Sequence, residues 1–498
     1  MSQRVVIRRL PTGVPGLDSL LGGGIPEFSF NILAGSPGSG KTTLAHQLMF
    51  SQSDMHRRAL YFTVLGEPSL KMLRYQQQFP FFDSSKIGDV VRFVNLSAEV
   101  AGGDYEHVLT RIVEEVRNFA PGLVFVDSFR SIMLSGRDNK LEELPRLQYF
   151  VQQLAMQMTS WLATTFLVGE YLLPEAESSP IFTIADGILW LQQSVQRNAM
   201  VRKMQIVKIR GQAQTPGWHT FRINDDGVQV FPRAILSSVS TGGEASDGKP
   251  GDSRLTMGNL VLDDMLGGGL PAGYSLLVVG PSGCGKTILA TEFLAEGVRV
   301  GEPGVLAAFE KFPSQLHSGK LNALVKSGAI GTIDTRSLGL SIDETLDDMT
   351  KMICKMNAKR VVIDSLSGFE LALAPEFSED FRGSLYRMIS VLTGLGVTIL
   401  MTSELEDRYT DLRFSPFGNA FLADAIIMQR YIEIAGDFKR VISVVKVRAS
   451  AHSTALRLYS INDDGIQIGH LLPRYEGILS GRPLYTLDED SSAAGSLM

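Results

Sequence analysis

The 498-residue chain has only two cysteines, Cys284 and Cys354. That number excludes a framework of several disulfides and any cysteine-rich metal site. Charge of one sign is lacking as well. Forty-seven basic side chains stand against 53 acidic ones, the net charge is −6, and there is no long basic run. A protein whose main task is to grip nucleic-acid phosphates needs a basic face, so nucleic acid is not an expected partner. No apolar stretch reaches the roughly 20 residues that span a bilayer. The N-terminus, Met1-Ser2-Gln3-Arg4, leads into a mixed polar strand without the core of a signal peptide. The sequence reads as a soluble, cytoplasmic protein that works off the membrane.

Glycine, in contrast, is plentiful at 49 residues, and two clusters of it carry the same pattern. Gly35-Ser36-Pro37-Gly38-Ser39-Gly40-Lys41-Thr42 and Gly280-Pro281-Ser282-Gly283-Cys284-Gly285-Lys286-Thr287 both fit G-x-x-x-x-G-K-[ST]. The glycines let successive backbone N–H groups turn inward around α- and β-phosphates. The lysine reaches the β- and γ-oxygens, and the threonine hydroxyl holds Mg²⁺. The following helix offers its positive end to the same anion. Each cluster lies between an apolar run (Phe30–Ala34; Ser275–Val279) and a stretch with helical character (Thr43–Phe50; Ile288–Leu294), which is the context the loop requires. ATP and Mg²⁺ are therefore expected ligands. Gly38, Ser39, Gly40, Lys41, Thr42 and Thr43 are expected to hold nucleotide in the first copy. Gly283, Cys284, Gly285, Lys286, Thr287 and Ile288 should do so in the second. For Cys284 a small side chain suits the tight turn; a redox switch is the other reading.

The repeat extends beyond the loops. The lysines stand 245 positions apart (286 minus 41), and Asp18 and Asp263 in the lead-in segments Leu17–Pro26 and Leu262–Pro271 keep that offset. Leu123-Val124-Phe125-Val126-Asp127-Ser128 pairs with Val361-Val362-Ile363-Asp364-Ser365, each an apolar strand ending in an acid. At that place in a P-loop protein the aspartate supports Mg²⁺, so Thr42 with Asp127 and Thr287 with Asp364 are the expected metal ligands. Val207-Lys208-Ile209-Arg210 matches Val445-Lys446-Val447-Arg448. Ile223-Asn224-Asp225-Asp226-Gly227 matches Ile461-Asn462-Asp463-Asp464-Gly465, at an offset of 238 (462 minus 224). The Asn-Asp-Asp-Gly segments predict hairpin turns between alternating strands. Two α/β domains follow from this, residues 1–236 and 252–482. A flexible polar linker is expected at 237–251 and a disordered acidic tail at 483–498.

The Gly-Gly-(Ile/Leu)-Pro lead-in, the P-loop, the Asp-Ser after the acidic strand end and the Lys-x-Arg pair, in that order over nearly the whole chain, resemble the KaiC-like family. The resemblance implies two tandem RecA-like P-loop NTPase domains, each a mostly parallel sheet flanked by helices. It also implies a double-ring homohexamer with ATP between neighbouring subunits. In that arrangement Lys208, Ile209 and Arg210, or Lys446, Val447 and Arg448, face the nucleotide of the adjacent protomer, and the arginine stabilises charge on the transferring phosphoryl group. The alternative is that Lys-x-Arg only decorates one face of an edge strand. The family places a histidine near the nucleotide where His452 falls, and Arg440, six before Lys446, is a second candidate basic contact.

Two departures from the family pattern bear on the chemistry. KaiC-like sites place adjacent glutamates after the strand that follows the P-loop helix. In the second copy Glu310 fills the first of these positions and Lys311 the second, so Glu310 is the expected base, with Lys286, Lys446 and Arg448 completing the catalytic set. In the first copy two registers are open. One places Leu65 and Gly66 at the pair, the other Gly66 and Glu67, and Glu67 or Glu170 is a substitute base. The first domain is thus expected to bind ATP and to hydrolyse it slowly. The clock protein's adjacent Ser-Thr phosphoacceptors are replaced, on alignment of Asp424, by Ala420 and Phe421, which have no hydroxyl. The expected function is slow Mg²⁺-ATP hydrolysis in a homohexamer that switches an unidentified signalling protein. An autokinase using another serine and a DNA-dependent motor are the alternatives.

Overall fold

The computed structural model describes residues 7–64, 69–134, 140–171, 180–196, 199–233, 253–309, 319–333, 341–373, 377, 380–405, 422–434, 436–472, 475–476 and 484–485. The chain divides into two compact units, Met1–Arg233 and Ala234–Met498. The expected linker, residues 237–251, lies outside the described residues.

Each unit is built on a nine-stranded sheet. In the first unit the strands are β1 (Phe30–Gly35), β2 (Ala59–Thr63), β3 (Val91–Asn95), β4 (Leu123–Asp127), β5 (Thr164–Glu170), β6 (Gly187–Gln196), β7 (Ala199–Ile209), β8 (His219–Asn224) and β9 (Gly227–Phe231). In the second they are β10 (Ser275–Gly280), β11 (Gly304–Ala308), β12 (Ile330–Thr332), β13 (Arg360–Asp364), β14 (Thr398–Glu404), β15 (Ala425–Ile434), β16 (Asp437–Val447), β17 (Arg457–Asn462) and β18 (Gly465–Leu471). The spatial order 9-8-7-6-1-5-4-2-3 recurs as 18-17-16-15-10-14-13-11-12, so strand n corresponds to strand n plus nine. Strands β1 to β6 pair in parallel and β6 to β9 as an antiparallel meander, and the second unit repeats this.

The central strands read as continuous apolar runs because both faces are covered. Val124, Phe125 and Val126 are buried on β4, as are Val361, Val362 and Ile363 on β13. One face of the first sheet packs on the P-loop helix Lys41–Gln52, whose Leu44, Leu48 and Met49 join one core cluster. The other packs on the helices Tyr105–Phe119 and Lys140–Ser160, which contribute Ile112, Val116 and Leu154. The second unit has the same two layers, with Lys286–Arg299 on one face and Ile342–Met356 and Phe381–Gly394 on the other. The Asn-Asp-Asp-Gly segments are hairpin turns in which Asn224 pairs with Gly227 and Asn462 with Gly465. Leu484–Tyr485, inside the expected tail, pairs antiparallel with Tyr475–Glu476, and residues 486–498 lie outside the described residues.

One departure between the repeats affects stability. Gln47 on the P-loop helix makes two bonds to Val228, accepting from its N–H at 2.7 Å and donating to its carbonyl at 3.2 Å. In the second unit the residue is Glu292. It accepts from Ile466 N at 2.7 Å, while its other oxygen, Oε2, is buried with no partner. Burial raises the carboxyl above its ordinary 4.5. The charged form is the one that costs, so the penalty is absent below 4.5 and develops as pH rises through the folded-state value. Glu292→Gln should stabilise the second unit by about 1 kcal/mol near neutral pH, the worth of one satisfied buried bond. The gain should fade at about pH 4. Thermal unfolding at both pH values checks this, and an equal gain at both would sink the explanation.

Candidate functional site

Both P-loops leave the carboxyl end of the central strand of their sheet, as expected for a ligand site in an open α/β sheet. Gly40 and Gly285 cap the following helices with φ of 98° and 103°. A Cβ on Gly40 would fall 2.5 Å from Ile223 Cδ1 and one on Gly285 2.7 Å from Ile461 Cδ1, so the last glycine of each loop is fixed by conformation and by space. Ser39 and Cys284 are fully buried beneath the loop. Burial pushes the Cys284 thiol upward, the opposite of what a reactive thiolate needs, so its place is one of size and packing.

The lysine amines turn onto their own loops. Lys41 Nζ donates to Ser36 O at 2.8 Å, and Lys286 Nζ to Gly280 O and Pro281 O at 2.8 and 2.9 Å. Burial lowers the Lys41 pKa, and the charges of Glu170 and Asp127 oppose that shift. Thr42 Oγ1 donates to Asp127 Oδ2 at 2.8 Å, and Thr287 Oγ1 to Asp364 Oδ2 at 2.8 Å, so each predicted hydroxyl–carboxylate pair is assembled. Burial raises the Asp127 pKa, with Tyr61, Thr42 and Lys41 acting against it. In both units the peptide bond after this aspartate is cis.

These groups fit a Mg²⁺-nucleotide. Among the described residues no cluster of three or more His, Cys, Asp or Glu side chains is assembled to hold a metal by itself. A hydroxyl and a carboxylate beside a phosphate cradle suit Mg²⁺, which keeps water and phosphate oxygens among its ligands. Thr43 and Ile288 follow as the third residues of the helices Lys41–Gln52 and Lys286–Arg299.

The Lys-x-Arg pairs lie at the other end of the sheet. Lys208 is paired with Ile188, which is level with Ile32, and Arg210 N bonds Asp186 O, level with the start of β1. That is about 17 Å of strand from Gly35 at 3.3 Å per residue. Lys208 Nζ donates to Thr183 O at 3.0 Å, and Arg210 Nη1 pairs with Asp186 Oδ1 at 3.0 Å. In the second unit Lys446 Nζ donates to Ala423 O at 2.7 Å and Arg448 Nη1 pairs with Asp424 Oδ1 at 3.1 Å. Burial lowers both lysines, and the neighbouring arginine adds to the shift. Ile209 and Val447 sit between them on β7 and β16. The glycine lead-in gathers at the same end, where Ser453 N bonds Met265 O and a Cβ on Gly267 would strike Ala451 O. His452, whose Nδ1 lies 3.2 Å from Ser450 O, belongs to this loop.

Arg440 is at the opposite end of β16 from Lys446. It faces Tyr431 at 5.4 Å, Tyr431 reaches over Gly283, and its Nε is buried without a partner. It therefore belongs to its own domain's P-loop. Arg202, six before Lys208, holds the same place on β7 with the same partnerless Nε. Sequence reasoning missed it, although the spacing was present in both copies.

The ladders align Val64 of the first copy with Phe309 of the second. Val64 N bonds Asp127 O at 3.0 Å as Phe309 N bonds Asp364 O at 2.8 Å. The next residue in sequence is Leu65 in one copy and Glu310 in the other. Leu65, Gly66, Glu67, Glu310, Lys311, Ala420 and Phe421 lie outside the described residues. Glu170 is described. It pairs with Gly35 at the P-loop end, and Glu404 pairs with Gly280 in the same way. Two hydroxyls that sequence reasoning did not connect to the site also reach it. Tyr61 OH donates to Asp127 Oδ2 at 2.8 Å, and Thr402 Oγ1 donates to Asp364 Oδ1.

Comparison with known proteins agrees with this architecture. The family model described as "ATPase: KaiC" matches residues 10–235 and again 257–472. The chain is 26% identical over 500 residues to the circadian clock oscillator protein KaiC of Rippkaea orientalis, covering 97% of this chain and 93% of that protein. It is likewise 26% identical over 505 residues to the protein of the same name from Thermostichus vulcanus, covering 98% and 94%. Among the described residues no helix is long and apolar enough to cross a membrane. Two copies of one nucleotide-binding unit, matched by one family model in both places, identify the chain as a member of the KaiC ATPase family, a KaiC-like ATP-binding protein.

Proposed function

We propose that the chain is a slow Mg²⁺-dependent ATPase that assembles as a homohexameric ring and acts as a nucleotide-dependent switch for a partner protein. One observation carries this reading: each unit presents its P-loop at one end of the sheet and its Lys-x-Arg pair at the other. A single unit cannot bring both to one phosphate. Copies arranged head to tail can, and such a heterologous contact forms a ring when its rotation closes.

Within such a ring, Lys286 neutralises β/γ-phosphate charge while Thr287 and Asp364 hold the metal. Mg²⁺ supplies charge neutralisation at the phosphate oxygens. Glu310, the residue after Phe309 in the sequence, takes a proton from the attacking water. Lys446 and Arg448 of a neighbouring copy reach the transferring group. The first domain has Lys41, Thr42 and Asp127 for binding but leucine at the base position. It binds ATP and serves assembly, with Lys208 and Arg210 in the neighbour-facing role. A change of nucleotide state then alters the subunit contact, and the partner reads that change. The net charge of −6 and the lack of a basic run point to a protein partner, away from nucleic acid or membrane.

Light scattering with and without ATP tests the reading. A hexamer that forms with ATP and is lost in Lys41→Ala supports it. A chain that remains monomeric in ATP at full turnover overturns it.

A further inference from the structure

The aspartate that ends β4 and the one that ends β13 each receive a second hydroxyl besides the P-loop threonine, and the two units take it from opposite neighbouring strands. In the first unit it comes from Tyr61 on β2, whose OH donates to Asp127 Oδ2 at 2.8 Å. In the second it comes from Thr402 on β14, which donates to Asp364 Oδ1. The positions are exchanged in register. Tyr61 pairs with Phe125, and its counterpart Leu306 pairs with Val362, each two residues before the aspartate. Val168 pairs with Leu33 and Thr402 with Val278, at the repeat offset of 245 (278 minus 33). Where one unit has Tyr and Val flanking the acid, the other has Leu and Thr.

We infer that Tyr61 and Thr402 are positioning residues that set the orientation of the metal-supporting carboxylate. In the first unit the task falls to a tyrosine on β2, in the second to a threonine on β14. The geometry favours a positioning role over filler. Tyr61 is fully buried and held between His46 at 4.7 Å and Phe125 at 5.8 Å, so its hydroxyl is delivered to one place. Val168 and Leu306 are also buried, so each unit has spent a polar side chain in its core on only one side of the acid. Thr42 and Tyr61 converge on the same oxygen in the first unit, whereas Thr287 and Thr402 take one oxygen each in the second. The two carboxylates are thus presented differently to a metal, which rests on the reading of Asp127 and Asp364 as metal supports.

The test uses the full chain carrying Lys286→Ala, so that a fluorescent ATP analogue reports on the first domain, titrated in Mg²⁺ and in EDTA. Tyr61→Phe should weaken binding about tenfold in Mg²⁺ and leave binding in EDTA unchanged, the scale of one hydrogen bond to a charged group. Adding Val168→Thr, the second unit's solution, should restore most of the loss. Equal losses in Mg²⁺ and EDTA, no loss, or no rescue would each overturn the inference. If the parent binds equally well in both media, the metal role in the proposed function fails first. The reciprocal pair Thr402→Val and Thr402→Val with Leu306→Tyr repeats the experiment in the second unit, in a Lys41→Ala chain.

Discussion

Mixing two inactive variants, Lys286→Ala and Arg448→Ala, should restore ATP hydrolysis. Each alone is expected to lose about 10³-fold in second-domain turnover, since an arginine at the transferring phosphoryl group and the P-loop lysine each act on transition-state charge. In a ring, however, the defects lie on different faces of each subunit. Arg448 pairs with Asp424 at the start of β15, and Lys286 follows the far end of β10. A contact in which an Arg448→Ala chain supplies the P-loop and a Lys286→Ala chain supplies the arginine contains no defect. With random mixing, about a quarter of contacts are of this kind, so about a quarter of wild-type turnover should return. The chains are mixed without nucleotide, allowed to assemble with ATP, and assayed for phosphate release. A mixture no more active than its components would place Arg448 in structure alone, as the partner of Asp424.

The duplicated architecture could be read in advance because its signals are local and dense. A P-loop needs eight consecutive residues, and the hairpins announce themselves through Asn-Asp-Asp-Gly between alternating strands. What stayed hidden depends on strand pairing. Nothing in Leu60-Tyr61-Phe62 marks the hydroxyl as polar machinery, because its acceptor is 66 positions away. Thr402, 38 positions from Asp364, is equally silent at the end of an apolar run. The spacing of Lys208 and Arg210 put them on one face of a strand, but only the ladder with β6 fixed which end of the sheet they occupy. The same ladders separated Arg440 from Lys446, two residues that sequence spacing had grouped. They also align Val64 with Phe309, the residues that precede Leu65 and Glu310 in the sequence.

That alignment leads to the second large effect. Glu310→Gln keeps the size and hydrogen-bonding reach of the side chain but removes the carboxylate of the proposed base. Second-domain turnover should fall about 10²- to 10⁴-fold, the range of general-base catalysis. If the first domain turns over slowly, total activity of the variant falls to that residue of activity, while nucleotide binding and ring size stay as they were. Leu65→Glu then asks whether the first domain lacks only the carboxylate. Leu65 follows Val64, whose N–H bonds Asp127 O as Phe309 bonds Asp364 O, so the new glutamate enters the chain at the position of Glu310. In the Glu310→Gln background it should raise turnover at least about tenfold, because Thr42 and Asp127 are already paired beside the P-loop. The outcome that reverses this division of labour is Glu310→Gln with unchanged total turnover. Glu170, beside Gly35 and close enough for its charge to be felt by Lys41, is then the carboxylate in the first domain to replace, and Glu170→Gln should remove the activity that Glu310→Gln spared.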